Sequence, residues 1–252
     1  MVSGLTCRDM VSGLTCRAQA RLARFLRVGD TLVRCVAVDP HDQVYVLADL
    51  HVYLFDSVGN LRFSCPVGVR HSLAAGRTFW VLGDRHRVEV RRGAAPPLRQ
   101  LSGPFQRVTS LAVSKDQHIL VADNHYPLRE FEAQSGALVR THATLWQGHA
   151  EVAVAGELVV TSDILGVFAS TLAGQVLWQL SETPAGLAAT AELVFLASDD
   201  EPRVDVREAV TGTLVHVLRP TRAASRGGWC VAAGLHRVAV CGWRAGQVQL
   251  WE

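Results

Sequence analysis

Lysine is almost missing from this chain: Lys115 is the only one, and every other cationic side chain is arginine. A GC-rich coding sequence explains that bias without any function. Arginine kept for forked, bidentate contacts is the sharper reading. Long apolar runs are missing too. None approaches the ~20 residues that a spanning helix needs, so no membrane partner is expected. The N-terminus has no compact apolar stretch ahead of a small-residue cleavage site, so a cytoplasmic protein is expected. The six cysteines (Cys7, Cys16, Cys35, Cys65, Cys230, Cys241) form no C-x-x-C pair. That excludes zinc-knuckle and RING spacings, and reduced, buried thiols are the expectation. No G-x-S-x-G elbow or phosphate loop occurs, and long amphipathic helical stretches are lacking.

What is present is a folded composition, 49% hydrophobic and 19% charged over 252 residues, enough to bury a real core. The net charge of +2 is too small by itself to imply a nucleic-acid partner, and DNA is not expected. The octapeptide MVSGLTCR occurs at Met1–Arg8 and again at Met10–Arg17. Residues 1–20 read as a duplicated, disordered leader, and residues 21–252 as one domain.

That domain carries a longer repeat. Runs such as VYVLADLHVYLF (from Val44), HILVADNHYPLREF (from His118) and LVVTSDILGVFAS (from Leu158) share one pattern. Each has an apolar strand, a small residue, an acid, a polar step and an alternating strand. The equivalent positions are Asp49, Asp84, Asp123, Asp163, Asp199 and Trp243, separated by about 35, 39, 40, 36 and 44 residues, the period of propeller blades. Short small-residue segments precede each run, RCVAVD at Arg34 and TSLAVS at Thr109 among them, and suit crowded innermost strands. The fold class is all-β, a six-bladed propeller of four-stranded blades. The last repeat supplies only three strands, ending at Glu252. The segment Arg24–Val28 is expected to close that blade as its fourth strand, although Leu22, Phe25 and Leu26 also fit a short helix.

The segment Arg107–Thr141, RVTSLAVSKDQHILVADNHYPLREFEAQSGALVRT, resembles an NHL repeat, and Val44–Phe63 is similar through Ala48-Asp49 and Phe55-Asp56. Related six-bladed groups and a degenerate WD repeat share much of this pattern. NHL domains commonly stand at the C-terminus of tripartite-motif ubiquitin ligases and select protein or RNA targets. The resemblance implies a recognition propeller linked to the ubiquitin pathway, without a RING of its own in this sequence.

The recurring acid is expected to be structural, accepting backbone N–H groups of the turn that follows it. No catalytic residue, metal or cofactor is expected. Other six-bladed propellers, gluconolactonase-like hydrolases and amidating lyases, hold a channel metal, and here the nearest ligand types are His71, Glu151 and Asp39. Function is expected on the loop face shared by the second-to-third-strand turns and the links between blades. That face is expected to carry Arg70, Arg85, Arg107, Arg222, Arg226 and Arg244, with Tyr126, Trp146, Trp229 and Trp243. Arginine beside exposed aromatics is the composition of a binding surface. Asp49, Asp84, Asp123, Asp163, Asp199, Asp200 and Glu201 fall on the same face and nearly cancel those arginines. A mixed-charge protein partner is therefore the first expectation, and single-stranded RNA is the alternative.

Overall fold

The computed structural model describes residues 22–28, 32–142, 151–220, 229–242 and 247–252. These form twenty-four strands in six antiparallel four-stranded sheets. The expected leader lies outside the described residues.

Blade 1 comprises β2 (Val33–Val38), β3 (Val44–Ala48), β4 (His51–Phe55) and β5 (Leu61–Pro66). Blade 2 comprises β6 (Ser72–Ala75), β7 (Trp80–Gly83), β8 (Val88–Arg91) and β9 (Arg99–Gln100). Blade 3 follows as β10 (Val108–Val113), β11 (His118–Asp123), β12 (Tyr126–Glu132) and β13 (Leu138–Thr141). Blade 4 is β14 (Glu151–Ala155), β15 (Leu158–Asp163), β16 (Gly166–Thr171) and β17 (Val176–Leu180). Blade 5 is β18 (Gly186–Ala189), β19 (Leu193–Ala197), β20 (Val204–Glu208) and β21 (Leu214–Leu218). Blade 6 holds β22 (Trp229–Ala233), β23 (Val238–Gly242) and β24 (Gln247–Trp251), and its outer strand is β1 (Leu22–Arg27).

The innermost strands touch in a closed ring, β2 to β6, β10, β14, β18, β22 and back to β2. Small side chains let them crowd together. At Gly186 even a Cβ would stand 2.5 Å from the Trp229 carbonyl oxygen. Among the described residues the apolar core falls into six clusters, one at each junction between neighbouring blades. In the junction of blades 1 and 2, for example, Leu47, Val52, Leu73 and Leu82 surround Trp80, whose indole N–H donates to the Gly93 carbonyl at 3.1 Å.

Closure follows the sequence expectation. β1 runs antiparallel to β24, with Arg24 opposite Leu250 and Leu26 opposite Val248. Leu26 is 2% exposed and packs with Val28, Val33, Val248 and Leu250. The first and last described strands thus share one sheet, and β1 covers the edge that β24 would otherwise present.

Candidate binding face at the channel mouth

The six innermost strands enclose a channel cavity of about 650 Å³. Their N-terminal ends, the links between blades and the second-to-third-strand turns all reach one face, because successive strands of each blade run antiparallel. Most of the channel wall is Ala, Val and Leu, and polar side chains gather towards this end: Arg34, His71, Thr109, Ser110 and Glu151. Cys35 and Cys230 join them on adjacent inner strands. The Cys230 Sγ lies 3.2 Å from the Arg34 carbonyl oxygen, and burial, with Cys230 nearby, pushes the Cys35 thiol far up.

The turn acids behave as expected in three blades. Asp84 Oδ1 accepts the N–H groups of His86 (2.8 Å) and Arg87 (3.0 Å). Asp123 accepts those of Gln106 (3.0 Å), Arg107 (3.2 Å) and His125 (2.9 Å). Asp163 takes the Leu165 N–H at 2.7 Å. In blade 5 the capping role passes to Ser198, whose Oγ accepts the Glu201 N–H at 3.3 Å. Asp199, Asp200 and Glu201 are left exposed on a turn that spans residues 198–203.

Two expected surface residues are corrected by the fold. Arg70 is 5% exposed. It turns into blade 2 and pairs with Asp84 at 3.0 Å and Glu89 at 2.9 Å. Glu89 also holds Arg91 at 3.0 Å, so these charges satisfy one another inside the blade. Trp229 is buried in the apolar cluster between blades 5 and 6. As the first residue of an inner strand it points between blades, where its size is best covered. Tyr126 is half-buried: the Arg129 guanidinium lies 4.7 Å from its ring centre, and Gln106 donates to its hydroxyl at 3.4 Å. Arg85 and Arg107 are exposed as expected. Trp146, Arg222, Arg226, Trp243 and Arg244 lie outside the described residues.

Sequence reading missed Arg34. It is exposed and lines the channel with His71, on the face that Arg85 and Arg107 also reach. Burial lowers the His71 pKa, and the three arginines lower it further against the opposing pull of Asp84. Among the described residues, none of these three arginines is paired with a carboxylate, whereas Asp84 is engaged by Arg70 and Arg87. The expected cancellation of charge therefore fails locally. Among the described residues, blades 1 to 3 present three unpaired arginines against one unpaired turn acid, Asp49. Across the ring, blade 5 presents Asp199, Asp200, Glu201 and, beside them, Glu182.

Apolar turn tips were also missed. Ile164 is 72% and Leu165 63% exposed, and they fill the two-residue turn between Asp163 and Gly166. Leu50 holds the same place in blade 1, between Ala48 and His51. Leu32 and Val69 are likewise exposed on this face. The signal was present in the sequence, as leucine or isoleucine directly after the strand-ending acid.

The three ligand types noted in the sequence do not come together. Asp39 follows the far end of β2, roughly 17–20 Å along the strand from the mouth at ~3.3 Å per residue, and its Oδ1 accepts the His41 and Gln43 N–H groups at 2.8 and 2.9 Å. Glu151 accepts the Leu187 N–H, and burial pushes its carboxyl pKa up to about 8. Its Oε2 has no hydrogen-bond partner. Among the described residues no three His, Cys, Asp or Glu side chains are placed to hold a metal ion, and no helix is long and apolar enough to cross a membrane. No protein-family model matches the chain, and no curated protein matches it.

Proposed function

We propose that this propeller is a non-enzymatic interaction module that holds a protein partner on its channel-mouth face. The observation that carries the reading is the set of apolar tips, Leu50, Ile164 and Leu165, standing exposed among charged side chains on that face. Two-residue turns fix Leu50, Ile164 and Leu165 on rigid blades, so burying them under a partner costs little ordering entropy. An apolar centre within a polar, charged rim is the anatomy of a protein–protein interface. The likeness to NHL repeats suggests a particular form of this role, target selection for a ubiquitin ligase.

RNA binding is the second reading, favoured by unpaired Arg34, Arg85 and Arg107. Two features weigh against it. A phosphate backbone crossing the mouth meets Asp199, Asp200 and Glu201, and the Tyr126 ring is already occupied by Arg129.

The test is affinity capture from cell extract with wild type, with Ile164→Asp/Leu165→Asp, and with Val58→Asp/Leu235→Asp on the opposite face. Proteins retained by wild type and by the opposite-face variant, and lost from the mouth-face variant, support the reading. Equal retention by both variants overturns it.

A further inference from the structure

Resting on that protein-binding reading, we propose that the rim of blades 1 to 3 is a receptor for an acidic, amphipathic peptide segment of the partner, with Arg34, Arg85 and Arg107 taking its carboxylates and Leu32, Leu50 and Val69 its apolar side chains. The three arginines come from different blade elements. Arg34 lies on the inner strand β2, Arg85 in the turn between β7 and β8, and Arg107 in the link before β10. Arg34 lines the channel mouth beside His71, and the antiparallel blades bring the Arg85 turn and the Arg107 link to the same face. Two of the three turn acids on these blades are committed elsewhere, and the third, Asp49, has no ion pair among the described residues and leaves three arginines against one carboxylate. Asp84 is held by Arg70 and Arg87, and Asp123 by three backbone N–H groups. Positive charge without internal partners is charge available to an anion.

The apolar strip lies beside it. The Asp49 N–H donates to the Leu32 carbonyl at 3.1 Å, and the Val67 N–H to the Leu50 carbonyl at 2.8 Å. These bonds tie the link before β2, the first-blade turn and the link after β5 into one surface. Leu32, Leu50 and Val69 project from it, on the same blade that contributes Arg34. A segment with carboxylates on one side and apolar groups on the other satisfies both halves. A nucleic-acid strand offers phosphates but no aliphatic groups for the strip. Charge on the opposite blade sets the direction. Asp199, Asp200 and Glu201 repel a segment that is acidic throughout, so the acidic stretch is confined to blades 1 to 3, and basic residues that continue from it face blade 5.

The experiment uses the full chain and fluorescence anisotropy. The probes are a short labelled peptide alternating Glu and Leu, the same peptide with Lys for Glu, and an oligouridylate of equal length. The Glu–Leu peptide is expected to bind wild type, with affinity falling as salt rises. Arg34→Ala/Arg85→Ala/Arg107→Ala should weaken it about tenfold, as three exposed ion pairs of modest strength together supply. Leu50→Asp should weaken it too, and Asp199→Asn/Asp200→Asn/Glu201→Gln should not. All these side chains are exposed, and circular dichroism checks that each variant is folded. No binding of the Glu–Leu peptide, equal binding to the triple-arginine variant, or tighter arginine-dependent binding of the oligouridylate overturns the proposal. Captured proteins that survive the triple-arginine change but are lost with Ile164→Asp/Leu165→Asp would leave the protein-binding face standing while removing the acidic-segment receptor.

Discussion

Replacing Arg70 with alanine tests whether the arginines of this propeller divide into structural and surface groups. Arg70 bridges Asp84 and Glu89 inside blade 2, at 3.0 and 2.9 Å, and its Nη1 also reaches the Val69 carbonyl at 3.0 Å. Removing it leaves the buried Glu89 carboxylate dependent on Arg91 alone at 3.0 Å, with Arg87 more distant at 3.7 Å. Breaking a buried pair from one side costs about 3–5 kcal/mol. Because Arg91 remains, the lower figure is expected, about 3 kcal/mol. In a chain of this size that is a fall of roughly 6–12 °C in Tm. Arg85→Ala, with no partner to strand, should stay within about 0.5 kcal/mol of wild type. Urea unfolding monitored by tryptophan fluorescence measures both. Arg70→Ala/Glu89→Gln should recover part of the loss, since the second change removes the stranded charge. An Arg70→Ala variant as stable as Arg85→Ala would refute the assignment and return Arg70 to the candidate binding residues.

Ring closure depends on β1, so Leu26→Ala should cost about 2–5 kcal/mol, whereas the exposed Phe25 should tolerate alanine; thermal melts compare the two. Glu151 holds its proton in the folded protein up to about pH 8, well above its ordinary value of 4.5. Wild type therefore loses stability as pH rises from 4.5 through 8. Glu151→Gln should be the more stable protein at pH 8, and the gap should narrow on acidification; a constant gap in urea midpoints across pH would count against a buried, protonated acid. Glu130 shows the opposite sign. Burial alone would raise its pKa, but hydrogen bonds with His118 at 2.6 Å and His142 at 3.1 Å outweigh that and hold it below 4.5. Its contribution is full above pH 4.5 and is lost as pH falls through the lowered value. Glu130→Gln should flatten that acid limb, and unchanged acid sensitivity would contradict the bridging role.

The blades were legible because their period and turn chemistry are local. The spacing of Asp49, Asp84, Asp123 and Asp163 locates the second-to-third-strand turns, and the unfilled last blade points to a strand such as Arg24–Val28. Finer placement depends on one-residue offsets that composition does not carry. Blade 5 aligned on Asp199 by its acid, yet Ala197-Ser198 occupies the place of Ala122-Asp123 in blade 3, and that shift frees Asp199. The outermost strand of blade 2 is only Arg99–Gln100, separated by Leu98 from Pro96 and Pro97, which have no N–H to donate to a ladder. Arg70 and Arg107 both lead into inner strands, β6 and β10. Side chains alternate sides along extended chain, so standing two residues before a strand or one decides whether a guanidinium enters the blade or meets solvent. Arg34 went unnoticed because it lies within a segment read only for its small residues.

The proposed partner contacts the channel-mouth face. A photoreactive amino acid placed singly at Leu50, Leu165, Val58 and Leu235 tests it by crosslinking in cell extract. Adducts of one common protein from Leu50 and Leu165, and none from Val58 or Leu235, are the predicted result. Crosslinks from Val58 and Leu235 alone would place the partner on the opposite face and rule out the mouth as its docking site.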